Sequence, residues 1–150
     1  MALNLVRFLS LFFAALALIP AGAHLAELPN KIGLSASDYL VVQQIYRGWA
    51  LAGIVVIGAL LSTLVLVLML YSRRKPFMLA LIAFLCIAGT QIIFWTFTYP
   101  VNQQTANWTV LPANWPALRD QWEYSHAVSA GLNLIALVSL ILSLLPKDDP

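Results

Sequence analysis

Three stretches of this chain, 48–71, 77–99 and 127–145, contain no charged residue, and a fourth, 4–22, contains only Arg7. Each is close to the ~20 residues that a helix needs to cross ~30 Å of hydrocarbon. Lipid offers free backbone groups no partner, so such runs are expected to be helices. The rest of the composition agrees. Of 150 residues, 61% are hydrophobic and 9% charged, whereas a soluble domain carries about a quarter charged residues. The expected fold is all-α: a single four-transmembrane-helix bundle over 1–150, with an extracytoplasmic cap and a long fourth helix. The helices are expected over about 4–28, 36–71, 77–99 and 116–145.

The net charge is only +2, and its placement matters more than its sum. Arg73, Arg74 and Lys75 fill a tight turn before Pro76. Three positive charges in so short a loop mark a cytoplasmic side. Both termini are then expected in the cytoplasm, and both long links (24–47 and 100–126) outside. Arg7, an apolar run and Ala21-Gly22-Ala23 imitate a signal peptide with its cleavage site; we read the segment as a retained first span. Cys86 is the single cysteine, which excludes an intrachain disulfide.

Punctuation sets the helix ends. Pro20 is expected to kink the first helix, which continues to Leu28 before Pro29-Asn30 and Gly33 stop it. Ser35 with Asp38 three residues on forms a capping-box-like start. That second helix is expected to run on through Gln43, Tyr46 and Arg47 and to enter the membrane near Gly48, carrying one polar stripe downward. The third span is expected to end at Tyr99-Pro100. Pro116 suits the first turn of the last helix. Along that helix Arg119, Glu123, His126, Ala130 and Asn133 recur at helical spacing and share a face.

The chemically able residues gather in the two links. Both histidines (His24, His126), both glutamates (Glu27, Glu123), all five tryptophans and four of the five tyrosines lie in or beside them. Ordinary interfacial belts put Trp and Tyr at both membrane faces, so a one-sided cluster suggests a site. Several chemistries remain open. His24, Glu27 and His126 have the types of a two-histidine, one-carboxylate metal site; alternatively they are polar groups satisfied by water and one another. A haem held between His24 and His126 is a further alternative, although no metal or cofactor is favoured. His126 is also a candidate general base, with Glu27 to orient it and Arg47 or Arg119 to stabilise an oxyanion. Against that stands a plain hydrogen-bond network between helices. Tyr46, Trp95, Tyr99, Trp115 and Trp122 suit a flat ring or quinone-like ligand, or an interfacial belt. Asn107-Trp108-Thr109 is a glycosylation sequon on the outer side.

Four short motifs in order carry a resemblance across most of the chain. They are Ala21-Gly-Ala-His24 with Glu27-Leu-Pro29; Tyr46-Arg47-Gly48; Tyr99-Pro100-Val101-Asn102; and Trp122-Glu-Tyr-Ser-His126-Ala-Val128. Together they resemble the domain-of-unknown-function 1772 family, the anthrone-oxygenase-like four-helix membrane proteins. Leu28 stands where many members carry histidine, and Ser129 where many carry arginine. The resemblance implies oxidation of a flat aromatic substrate by dioxygen, with neither metal nor flavin. On it, His126 would be the base and Glu27 its assistant. Arg47 and Asn102 would hold oxygen, and Tyr46 and Trp122 would stack on the rings, with His24 and Arg119 nearby. The alternative is a non-catalytic accessory subunit of a larger membrane complex, binding a partner or cofactor. The expected partners are the bilayer and a lipophilic aromatic molecule or complex subunit, not nucleic acid.

Overall fold

The computed structural model describes residues 1–145; the C-terminus, expected on the same side as Met1, lies outside them. The described residues are helical throughout, joined by turns, with no strand among them. Four helical segments are long and apolar enough to cross a membrane: Ala2–Lys31, Trp49–Met69, Arg74–Gln104 and Trp115–Leu144.

Helix α1 (Ala2–Lys31) passes through both Pro20 and Pro29, so the expected stop at Leu28 is corrected. Each proline removes one ladder bond. At Pro29 the carbonyl that loses its donor is that of Leu25, on an exposed part of the helix. The extra turn matters because it delivers Lys31. Helix α2 (Ala36–Gln43) starts as the sequence suggests, with Ser35 Oγ accepting from the Asp38 N–H at 3.3 Å and donating to its carboxylate at 2.7 Å.

The expected single helix over 36–71 is also corrected. After α2 the chain makes a 3₁₀ turn at Gln44–Tyr46, turns through a left-handed Gly48, and makes another 3₁₀ turn at Trp49–Leu51 before α3 (Ala52–Met69). Gly48 has φ +88°, a conformation open to glycine and costly to other residues. The polar stripe therefore does not descend: Gln43 is buried and Arg47 exposed.

Helix α4 (Arg74–Ile93) leads into a π-helical turn, Phe94–Thr98, and then α5 (Tyr99–Gln104). The helical path thus continues through Pro100, where an end was expected. The wide turn, closed by the Tyr99 N–H on the Phe94 carbonyl, is one way for a helix to accommodate a proline ring that would clash with the preceding turn. Next, Ala106, Asn107 and Trp108 all take positive φ (45°, 55° and 61°). A left-handed residue costs roughly 1–2 kcal/mol. Here the turn sets the Trp108 ring among Tyr39, Val101, Leu118 and Trp122. Helix α6 (Trp115–Leu144) follows with Pro116 in its first turn, as its sequence suggests.

Each long helix packs on two others: α1 on α3 and α6, and α4 on α3 and α6. Their shared core is rich in alanine (Ala14, Ala59, Ala80, Ala83, Ala136) around Leu66, Leu70, Ile87 and Leu140. Small residues let helices approach closely where lipid tails provide no hydrophobic drive. Large apolar side chains such as Phe8, Ile19, Leu61, Leu85 and Ile141 point outward, which fits a bilayer environment. Several polar side chains at this depth turn back on their own helix. Ser10 bonds the Val6 carbonyl, Thr90 that of Ile87, and Asn133 that of Ser129. Asn133 thereby finds its partner locally.

Candidate functional site

One end of the helix assembly carries the C-terminal end of α1, α2, the two 3₁₀ turns, α5 and the first turns of α6. There the two histidines meet. His24 of α1 and His126 of α6 stack with ring centroids 4.1 Å apart and planes inclined by 27°. Trp122 stands edge-on to both, 4.2 Å from His126 and 5.0 Å from His24. Tyr46 lies 4.4 Å from His24, and Trp49 lies 5.6 Å from it. The indole N–H of Trp122 donates to Asn102 Oδ1 at 2.8 Å, which fixes the Trp122 ring and leaves the Asn102 amide NH₂ free of that bond. His24 Nδ1 is buried with no hydrogen-bond partner among the described residues.

These side chains wall a cavity of about 470 Å³. Its lining includes His24, Tyr46, Trp49, Asn102, Trp122 and His126, and it continues down past Phe94 and Trp95 to Ile57 and Asn133. A second cavity, about 420 Å³, shares Tyr46, Asn102 and Trp122 as a common wall and is lined also by Gln43, Arg47 and Trp108.

Beside the histidines lies a charged network that sequence reasoning missed at its centre. Lys31 is 3% exposed. Its Nζ donates to the Tyr46 hydroxyl at 2.7 Å, pairs with Glu123 Oε1 at 3.0 Å and reaches Glu27 at 3.8 Å. The ammonium also sits over the Tyr46 and Trp122 rings, 4.4 and 5.0 Å from their centroids, a cation–π arrangement. Tyr46 donates in turn to Glu27, and Tyr39 donates to Glu123 Oε1 at 2.7 Å. Burial first, and then the bonded glutamate, raises both phenols well above their ordinary pKa. Both tyrosines are thereby kept as donors. The available signal was spacing: His24, Glu27 and Lys31 fall at i, i+3 and i+7 on one helical face. It was hidden by the expected helix end at Leu28.

The other candidates divide. His24, His126, Tyr46, Asn102 and Trp122 line the first cavity together. Glu27 does not orient a histidine; its carboxylate is taken by Tyr46 and Lys31. Arg47 lies on the second cavity, bonded to Gln44 Oε1 at 2.9 Å. Arg119 pairs with Asp120 at 3.1 Å above the Trp115 ring and lines neither cavity. Neither arginine is placed to hold an oxyanion beside His126. Among the described residues no three His, Cys, Asp or Glu side chains are arranged to hold a metal ion. The face-to-face contact of His24 and His126 leaves no gap for a haem plane between them.

What remains is a stacked imidazole pair in an aromatic wall. Comparison of the chain with protein-family models, with curated proteins and with solved structures gave no match.

Proposed function

We propose that this chain is an integral membrane enzyme that oxidises a flat, lipophilic aromatic molecule with dioxygen, the His24–His126 pair accepting the substrate proton. The observation that carries the reading is the stacked histidine pair exposed to a cavity walled by Tyr46, Trp49 and Trp122. The resemblance to the anthrone-oxygenase-like family supports it. The ring system would lie against Tyr46 and Trp122. His126 removes a proton from the carbon between two rings, and the electron pair moves onto the ring oxygen as an enolate. The free NH₂ of Asn102 stabilises that oxygen. Dioxygen then takes two electrons from the carbanion carbon as the C–O bond forms, and the resulting peroxide is protonated. Loss of the second C–H proton breaks the O–O bond and releases water, leaving a carbonyl. The substrate thus loses two hydrogens and gains one oxygen, with one dioxygen consumed and one water formed.

Protein in lipid nanodiscs supplied with anthrone is expected to consume one dioxygen per anthrone, well above the spontaneous rate in empty nanodiscs. An oxygen electrode with absorbance of the product measures both. Uptake no faster than in empty nanodiscs overturns the oxygenase reading, and saturable binding without turnover would favour an accessory subunit.

The same reading puts the site at the extracytoplasmic end of a four-helix bundle, with the Arg73–Lys75 turn and Met1 in the cytoplasm, because the basic turn sets orientation. In a Cys86→Ala background, Ala113→Cys is expected to react with an impermeant thiol reagent in intact cells, and Ser72→Cys only after lysis. Both positions are exposed. The reverse pattern would invert the orientation.

A further inference from the structure

The cavity is not walled equally on all sides. Where α1 and α6 line it, none of the side chains is exposed: Ala17, Ala21, His24, Trp122 and Asn133 are buried, and Pro20, His126 and Ser129 are half-buried. On the side of α3, α4 and their adjoining turns, Thr90 and Thr98 are buried, but other lining residues open to the outside. Ile57 is 56% exposed, Trp95 is 60% exposed, and Ala50 and Gly53 are exposed too. The α3–α4 contact is also the smallest of the four between long helices. Its packed part lies toward the basic turn, around Leu66, Leu70, Ala80 and Ala83. Toward the site the two helices part, and the cavity occupies the gap between Gly53 and Ile57 on one side and Thr90, Phe94 and Trp95 on the other. The π-helical turn Phe94–Thr98 forms one lip; such turns recur where a helix is reshaped around a site. The lip residues belong to apolar helices of membrane-spanning length, so the surroundings of this slot are hydrocarbon, not water.

We propose that the slot between α3 and α4 is a lateral portal, and that the natural ligand is a flat fused-ring compound bearing a long aliphatic tail and dissolved in the lipid. This rests on the reading of the cavity as an aromatic-ring site. The ring enters sideways and stops against Tyr46, Trp122 and the histidine pair. The tail stays in the slot along Gly53 and Ile57 and leaves into the bilayer. A closed cavity would suit a compact aromatic. A cavity of about 470 Å³ that opens along apolar helices suits a molecule too long to be enclosed. A membrane ligand's tail is already in hydrocarbon, so the affinity that the slot adds comes from close packing of the first tail carbons against Gly53 and Ile57 in place of looser lipid chains, while the ring is held.

Gly53 provides the test, because a Cβ built there meets no atom within 4 Å. Gly53→Phe should therefore fold and fill the slot. Ile54→Phe, on the same helix turned to lipid and not lining the cavity, is the control. The probes are 2-decyl-1,4-naphthoquinone and tail-less 1,4-naphthoquinone, titrated into protein in nanodiscs at matched lipid-phase concentrations, with quenching of tryptophan fluorescence as readout. Thermal unfolding of each variant verifies folding. The expected result is saturable quenching by the decyl probe, with Kd raised at least tenfold by Gly53→Phe and unchanged by Ile54→Phe, and at least tenfold weaker binding of the tail-less probe. Equal affinity of the two probes, or a folded Gly53→Phe that binds the decyl probe like the parent, overturns the portal and leaves the ring site standing. Absence of saturable quenching by both probes overturns the ring site, and the portal with it.

Discussion

Lys31→Met is expected to destabilise the protein by about 3–5 kcal/mol, the cost of breaking a buried ion pair by removing one partner. Methionine matches the length of the stem but strips the Lys31 cation from a cluster that holds two carboxylates. Glu123 is 1% exposed and its Oε2 already has no hydrogen-bond partner among the described residues. Without Lys31 its remaining support is the Tyr39 hydroxyl. Tyr46 would also lose the donor that holds its ring against His24. The double variant Lys31→Met, Glu123→Gln should recover much of the loss, because a neutral amide removes the unpaired charge and can still accept from Tyr39. Thermal unfolding of the purified protein in detergent, followed by helical circular dichroism, measures both. A single variant as stable as the parent would mean that Glu123 is solvated and that the network is not a buried one. Failure of the double variant to recover would assign the loss to the packing of the Lys31 stem over Tyr46 and Trp122.

The ordering of residues in sequence explains why this network was hidden while the helices were plain. Runs such as 77–99 announce themselves because a continuous apolar stretch of spanning length satisfies its own backbone in hydrocarbon as a helix, and Pro116 marks the start of α6 by a local rule. The stacking of His24 on His126 joins the first and last long helices. Sequence could supply the residue types and their similar depth, but not which way Glu27 turns. Its carboxylate faces Tyr46 and Lys31, and that outcome depends on Pro29 failing to end α1. The place of Arg47 was hidden for a related reason. Helical spacing put it on a stripe with Gln43 and Tyr46, whereas the chain has passed into a 3₁₀ turn at Gln44–Tyr46 and Arg47 itself has a non-helical ψ of 123°, which leaves it on the second cavity. Local signals such as proline and glycine indicate where a backbone can bend; whether it does so is decided by the packing partners.

Removing the imidazole of His126 is expected to lower turnover by at least about 100-fold, the lower bound of what a positioned general base contributes, and to leave the protein folded. The structural side of this expectation is specific. His126 takes part in no hydrogen bond among the described residues, its aromatic contacts being the stacked His24 ring and the edge-on Trp122 ring, so its loss strands no donor or acceptor. Aromatic contacts contribute about 0.5–1.5 kcal/mol each beyond burial, and His126→Ala will forfeit them. His126→Phe will keep them, because a six-membered ring can stack in the same place, and yet it cannot take a proton. The pair of variants therefore separates the two roles. If His126 accepts the substrate proton, both variants lose dioxygen uptake with anthrone, while only the alanine variant also loses thermal stability. If the ring merely props Trp122 and His24, phenylalanine restores uptake and alanine does not. Val128→Ala, on the exposed face of α6, should change neither quantity. The decisive measurement is dioxygen consumption per folded protein for the phenylalanine variant, since a folded, stable and inactive protein leaves proton transfer as the property that was removed.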